Sequence, residues 1–211
     1  MTDTDSKSPA KGSPSGRRGP AEHERRDQIL QAAEDHFRHY GYGKTTVADL
    51  AKAIGLSTAY IYKFFDSKQA IGQAICAIVL GRLLDEGRRI VDERGPATDR
   101  MRKLFAALAR LGIEQFFAER RLHDIAVTAC GEKWPTIVSF EAGVVELLRE
   151  LIQEGRENGE FERKTPIDEA ALGIKLAMVS FLHPLVIEEH LDETEEGAML
   201  IANLVLRSLA P

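Results

Sequence analysis

The stretch Thr45–Phe64, TTVADLAKAIGLSTAYIYKF, decides the fold. Val47, Leu50, Ala51 and Ile54 recur at helical spacing, behind Thr46 as N-cap and with Asp49 at the third helical position. Gly55 ends this short helix, since a residue without Cβ turns the chain where others are strained. Ser57 caps the next helix, which carries Tyr60, Ile61, Phe64 and Phe65. Two short helices joined by Gly55-Leu56-Ser57 are the sequence form of a helix-turn-helix.

A helix of this size fits the major groove of DNA and reaches base edges with its N-terminal side chains. The outward positions of the second helix are Thr58, Ala59, Tyr60 and Lys63. They are small, hydroxylated, aromatic or cationic, and none is acidic, as a polyanionic partner requires. The same aromatic residues could also be the core of an ordinary helical domain.

Upstream, Ile29, Leu30, Ala33 and Phe37 form one helical face that should stop at Gly41. Downstream, Asp66-Ser67 breaks the chain, and Ser67 caps a longer helix through Ile71, Ile75, Ile78 and Val79. Further helices are predicted over residues 97–118, 121–131, 135–158, 166–189 and 193–209. Pro135 and Pro166 suit first-turn positions, whereas Pro184 should kink its helix or end it early. No segment alternates as a strand does, so the fold class is all-α. Residues 1–20, rich in Ser, Pro, Gly, Lys and Asp, are expected to be a disordered tail.

The combination of Thr46-Val47, Leu50-Ala51, Ile54-Gly55-Leu56-Ser57 and Ile61 to Lys68, with Tyr62, Phe65 and Lys68 at their spacing, resembles the signature of the tetracycline-repressor (TetR) family. The resemblance covers about residues 21–83. It implies a three-helix DNA-binding domain over 21–83, with the helix-turn-helix at 45–64. A helical ligand-binding and dimerisation domain would follow over 84–211. It further implies that Tyr62 and Lys68 contact phosphate, and that Thr46 lies near the DNA backbone. Thr58, Ala59, Tyr60 and Lys63 would face bases or adjacent phosphates, and Ser57, the helix cap, belongs to the same DNA-binding set. Ala48 stands where relatives that read a base from the second helix often carry a basic residue. Tyr60 is larger than the side chain common at its position. The implied partners are double-stranded operator DNA, a second copy of the chain and a small apolar or amphipathic effector.

Charge distribution agrees with one DNA-facing end. The net charge is −5, yet residues 1–70 hold 11 Lys or Arg against 9 Asp or Glu, and the remainder 17 against 24. Leu172, Leu176, Val179, Leu182 and Val186 make one apolar stripe, and Leu200, Ile201, Leu204, Val205 and Leu209 another. Both suit the four-helix dimer interface that the resemblance implies, and burial within one chain equally. Phe116, Phe117, Trp134, Phe140 and Phe181 are candidates for the lining of an apolar pocket, or for core.

Cys76 and Cys130, 54 residues apart, form no pair motif and are expected as free thiols. His123, Cys130, His183 and His190 have no tight metal-ligand spacing, so no metal is expected. No phosphate loop, nucleophile–base pattern or paired carboxylates stand out, so neither cofactor nor enzymatic activity is expected. No run reaches the ~18 apolar residues of a membrane span, and no apolar run opens the chain, so a cytoplasmic protein is expected. The regulator is expected to repress by occupying its operator until an effector binds. An activator, a ligand-independent regulator and a helical protein-interaction module remain as alternatives.

Overall fold

A computed structural model describes residues 20–117 and 122–211; residues 1–19 of the expected tail and the side chain of Phe116 lie outside the described residues, while Pro20, expected to close that tail, begins the first helix. Every regular element among them is helical: α1 (Pro20–Tyr40), α2 (Val47–Ala53), α3 (Thr58–Ile61), α4 (Lys68–Val91), α5 (Ala97–Phe117), α6 (His123–Gly131), α7 (Pro135–Glu157), α8 (Ile167–Ala177), α9 (Val179–Leu182), α10 (Pro184–Glu189) and α11 (Thr194–Ser208). A 3₁₀ turn, Leu191–Glu193, precedes α11.

Local chemistry sets the boundaries near the N-terminus. The Thr46 hydroxyl accepts from the Asp49 N–H (3.2 Å), and the Asp49 carboxylate accepts from the Thr46 N–H (2.9 Å) and hydroxyl (2.6 Å), a reciprocal cap. Ser57 and Ser67 hydroxyls accept from the Tyr60 and Ala70 N–H groups. Gly55 turns the chain at φ 66°, in the left-handed region. α3 is shorter than its sequence suggests. After Ile61 the chain tightens, its carbonyl accepting from both Phe64 and Phe65 N–H groups (2.9 and 3.1 Å). The β-branched and aromatic run there has little helix propensity of its own. The predicted 166–189 helix is broken twice: the chain bends at Met178 and again at His183, where Pro184 opens a new helix.

Ile29, Leu30, Ala33 and Phe37 of α1 pack with Leu50, Ala51 and Ile61 to form the core of the N-terminal part. α4 begins in that core and runs unbroken past Leu83, so it belongs to both parts. Its far half packs between α5 and α7, while α11 lies on α5 and α8 on α7. Ile78 of α4, expected on the buried face, is exposed. Among the described residues, no helix is long and apolar enough to cross a membrane.

The two C-terminal stripes divide. Val205 and Leu209 turn inward, whereas Leu172 (51 %), Leu176 (60 %), Leu200 (64 %) and Leu204 (61 %) face outward and are more than half exposed. α8 and α11 thus bury one set of residues in the chain and present another to its surroundings.

Candidate nucleic-acid interface and internal cavity

The hydrogen bonds of Thr46 and Ser57 fix the entry of α2 and α3, and burial of Ile61 fixes which face of α3 turns outward. That outward face carries Ser57, Ala59, Tyr62 and Lys63, all exposed, with Thr58 and Tyr60 half-buried. The Tyr60 ring rests against Phe64, with centroids 5.4 Å apart, and Lys63 Nζ lies 5.4 Å from the Tyr60 centroid. These two side chains therefore support each other rather than projecting separately. No acid stands on α3. Asp49 of α2 is turned back on exposed Thr46, whose hydroxyl and N–H hold its carboxyl below its ordinary range. Thr46 is thus engaged in a cap as well as placed at the start of α2.

Lys68, expected at phosphate, has a partner within the chain. Its ammonium donates to the Tyr42 carbonyl (3.0 Å) and lies 4.4 Å from the Tyr42 ring centroid. Tyr42 meets Trp134 edge-on at 5.8 Å. Trp134 is buried, donates from Nε1 to Glu132 (2.7 Å), and packs so closely on α4 that a Cβ at Gly72 would lie 3.0 Å from its ring. One chain of contacts thus joins Lys68 at the start of α4 to the α6–α7 corner. Tyr42, absent from the sequence-based site, sits in its middle. Its phenol pKa is pushed up to about 12 by burial first and by Glu132 and Cys76 next.

Beyond that corner lies an internal cavity of about 80 Å³ between α4, α5, α6, α7 and α8–α10. Phe140 lines it, as do Leu80, Leu83, Cys76 and Cys130. Of the other residues expected there, Trp134 packs against Tyr42 and Gly72. Phe181 packs on Phe105 at 5.3 Å, and Phe117 on His123 at 5.1 Å, all away from the cavity wall. The side chain of Phe116, also expected there, lies outside the described residues. Burial pushes the Cys76 thiol up to about 12, with Cys130 adding to it, and the Cys130 thiol to about 11, with Glu141 adding. Both sulfurs are therefore protonated thiols at neutral pH and behave as apolar wall.

Two polar residues on the cavity wall were not among those expected there. Lys175 is largely buried and pairs with Glu141 at 2.5 Å; His183 Nδ1 is buried without a hydrogen-bond partner. A lysine inside the Leu172–Leu176–Val179 stripe was the available signal for the first.

Two family models match the chain: "Bacterial regulatory proteins, tetR family" over residues 29–75 and "Tetracyclin repressor-like, C-terminal domain" over residues 97–199. The nucleoid occlusion factor SlmA of Vibrio cholerae is 34 % identical over 97 residues, 46 % of each chain, so this chain spans about half the length of such relatives. The structure of the fatty acid degradation regulator FadR from Bacillus halodurans superposes with a TM-score of 0.68 at 23 % identity, covering 90 % of this chain and 97 % of that one. The TetR family regulator PfmR from Thermus thermophilus gives 0.60 at 28 % identity, covering 88 % and 97 %. With both halves of the fold matched in order, the chain belongs to the TetR family of transcriptional regulators, which are DNA-binding proteins rather than enzymes.

Proposed function

We propose that this protein is a homodimeric repressor that occupies an operator through α3 and is released by a small apolar or amphipathic effector. The observation that carries the reading is the acid-free outward face of α3, held by the Gly55 turn and the Ser57 cap. Ser57, Thr58, Ala59, Tyr60, Tyr62 and Lys63 meet bases and adjacent phosphates; Thr46 and Lys68 border the backbone. The Lys68 ammonium has three N–H donors and uses one on Tyr42, so phosphate contact does not require the internal bond to break.

Dimerisation follows from the outward leucines of α8 and α11, which a second copy would cover. It would place two reading heads roughly 34–36 Å apart or somewhat wider, one turn of DNA being the geometric unit. A ligand in the cavity acts by favouring one arrangement of α6 and α7 over another. Cys130, Phe140 and Val144 on its wall share those helices with the Trp134 corner, and Trp134 bears on Gly72 and Tyr42. Motion at the corner therefore reaches the start of α4 and the loop before α2.

Footprinting of the full-length protein on the DNA flanking its own gene tests the reading. A protected, two-fold symmetric site lost in high salt is expected; no protected site across that DNA at micromolar protein would refute it.

A further inference from the structure

Resting on the reading of the internal cavity as an effector site, we propose that its ligand is a small amphipathic carboxylate. Its head group is held by Lys175 and His183, and its chain lies among Leu80, Leu83, Phe140 and Val144. Apart from Lys175, His183 and Glu141 the cavity wall is apolar, and at about 80 Å³ the cavity is far smaller than the ~300–1,000 Å³ that drug-sized ligands occupy. The occupant is therefore small, or the walls part to admit it.

The polar groups on the wall select the head. Lys175 is largely buried, with 17 % of its side chain exposed, and its ammonium makes one hydrogen bond, to Glu141. Two of its N–H donors thus have no carboxylate or carbonyl among the described contacts. His183 Nδ1 is buried and unpartnered, which costs free energy until something bonds it. In the tautomer protonated at Nδ1 it donates, as Lys175 does. A carboxylate satisfies both donors, an alcohol one, and an amine meets the ammonium with like charge. Glu141 competes for Lys175, but its side chain is half exposed and can turn to water when a ligand carboxylate replaces it. The cavity also touches Val179, which is 39 % exposed beside the outward leucines, so its occupant borders the proposed dimer surface.

Isothermal titration calorimetry of the full chain without DNA, using octanoate, octan-1-ol and octylamine, tests this. Octanoate should bind about ten-fold or more tighter than octan-1-ol, the scale of one charge-assisted bond, and octylamine should not bind measurably. K175M should erase the octanoate advantage and spare octan-1-ol binding. E141Q removes the competing carboxylate and should tighten octanoate severalfold. No octanoate binding, equal affinity for octanoate and octan-1-ol, or a K175M profile like the wild type would overturn the proposal. Should K175M fail to fold, E141Q decides: tighter octanoate supports the site, unchanged or weaker binding refutes it. Octanoate that binds in this way yet leaves operator affinity unchanged refutes the effector reading alone. A neutral compound that releases operator from wild type and K175M alike refutes the carboxylate alone.

Discussion

Lys68 stands in the first turn of α4, where a cation opposes the positive end of the helix. The charge-assisted bond to the Tyr42 carbonyl and the contact with its ring outweigh that cost without any DNA present. Lys68→Ala should therefore lower the thermal midpoint as well as weaken DNA binding. Its phosphate role is isolated by salt dependence: affinity for operator and scrambled duplex should fall alike, and the salt slope should drop by about one. An unchanged slope would leave Lys68 with only its internal role. Tyr60 should behave differently. Tyr60→Ala should cost roughly 1–3 kcal/mol on operator and little on scrambled DNA, a difference that paired anisotropy titrations read directly. Gly72 is a third case. Its added Cβ would meet Trp134 at 3.0 Å and Ile125 at 3.1 Å, so Gly72→Ala should destabilise the fold by about 1–3 kcal/mol and shift Trp134 fluorescence.

At the scale of the element, the start of α5 is held from far along the chain. Glu160 accepts from the Ala97 N–H (2.9 Å), the Thr98 N–H (3.0 Å) and the Thr98 hydroxyl (3.1 Å). Burial pushes its carboxyl up, but these bonds and Arg100 outweigh burial and hold it below its ordinary value. A carboxyl lowered by folding stabilises the fold above its unfolded pKa, and loses that effect as pH falls through the folded value. Glu160→Gln should cost about 1 kcal/mol at pH 7, and its deficit in thermal midpoint should shrink as pH drops below about 4. A deficit constant with pH would mean the charge is idle. This cap also shows what sequence could reveal. Thr46, Ser57 and Ser67 bond N–H groups three residues on, so their helices were readable from adjacent residues. Glu160 caps a helix about sixty residues upstream, and nothing local announces it. Likewise the exposed face of α3 followed from spacing, whereas the placement of Trp134 and Phe181 outside the cavity depended on how α6, α7 and α9 pack. An aromatic residue reads the same whether it faces a void or another ring.

For the molecule as a whole, the outward leucines decide assembly. Leu200→Glu with Leu204→Glu alters residues already more than 60 % exposed in one chain, so each should change monomer stability by less than about 0.5 kcal/mol. The double variant should nonetheless sediment as a monomer and lose operator affinity, because one helix-turn-helix holds DNA weakly; a dimer of wild-type affinity would place the interface elsewhere. On this reading α3 supplies sequence specificity and the surrounding cations supply general attraction. A salt titration of the wild-type protein on its own upstream duplex and on a scrambled duplex tests that most directly. Binding to both should weaken as salt rises, with the upstream duplex favoured by about 10³-fold or more at every salt concentration. Equal affinity for the two duplexes, or binding to neither, would contradict it.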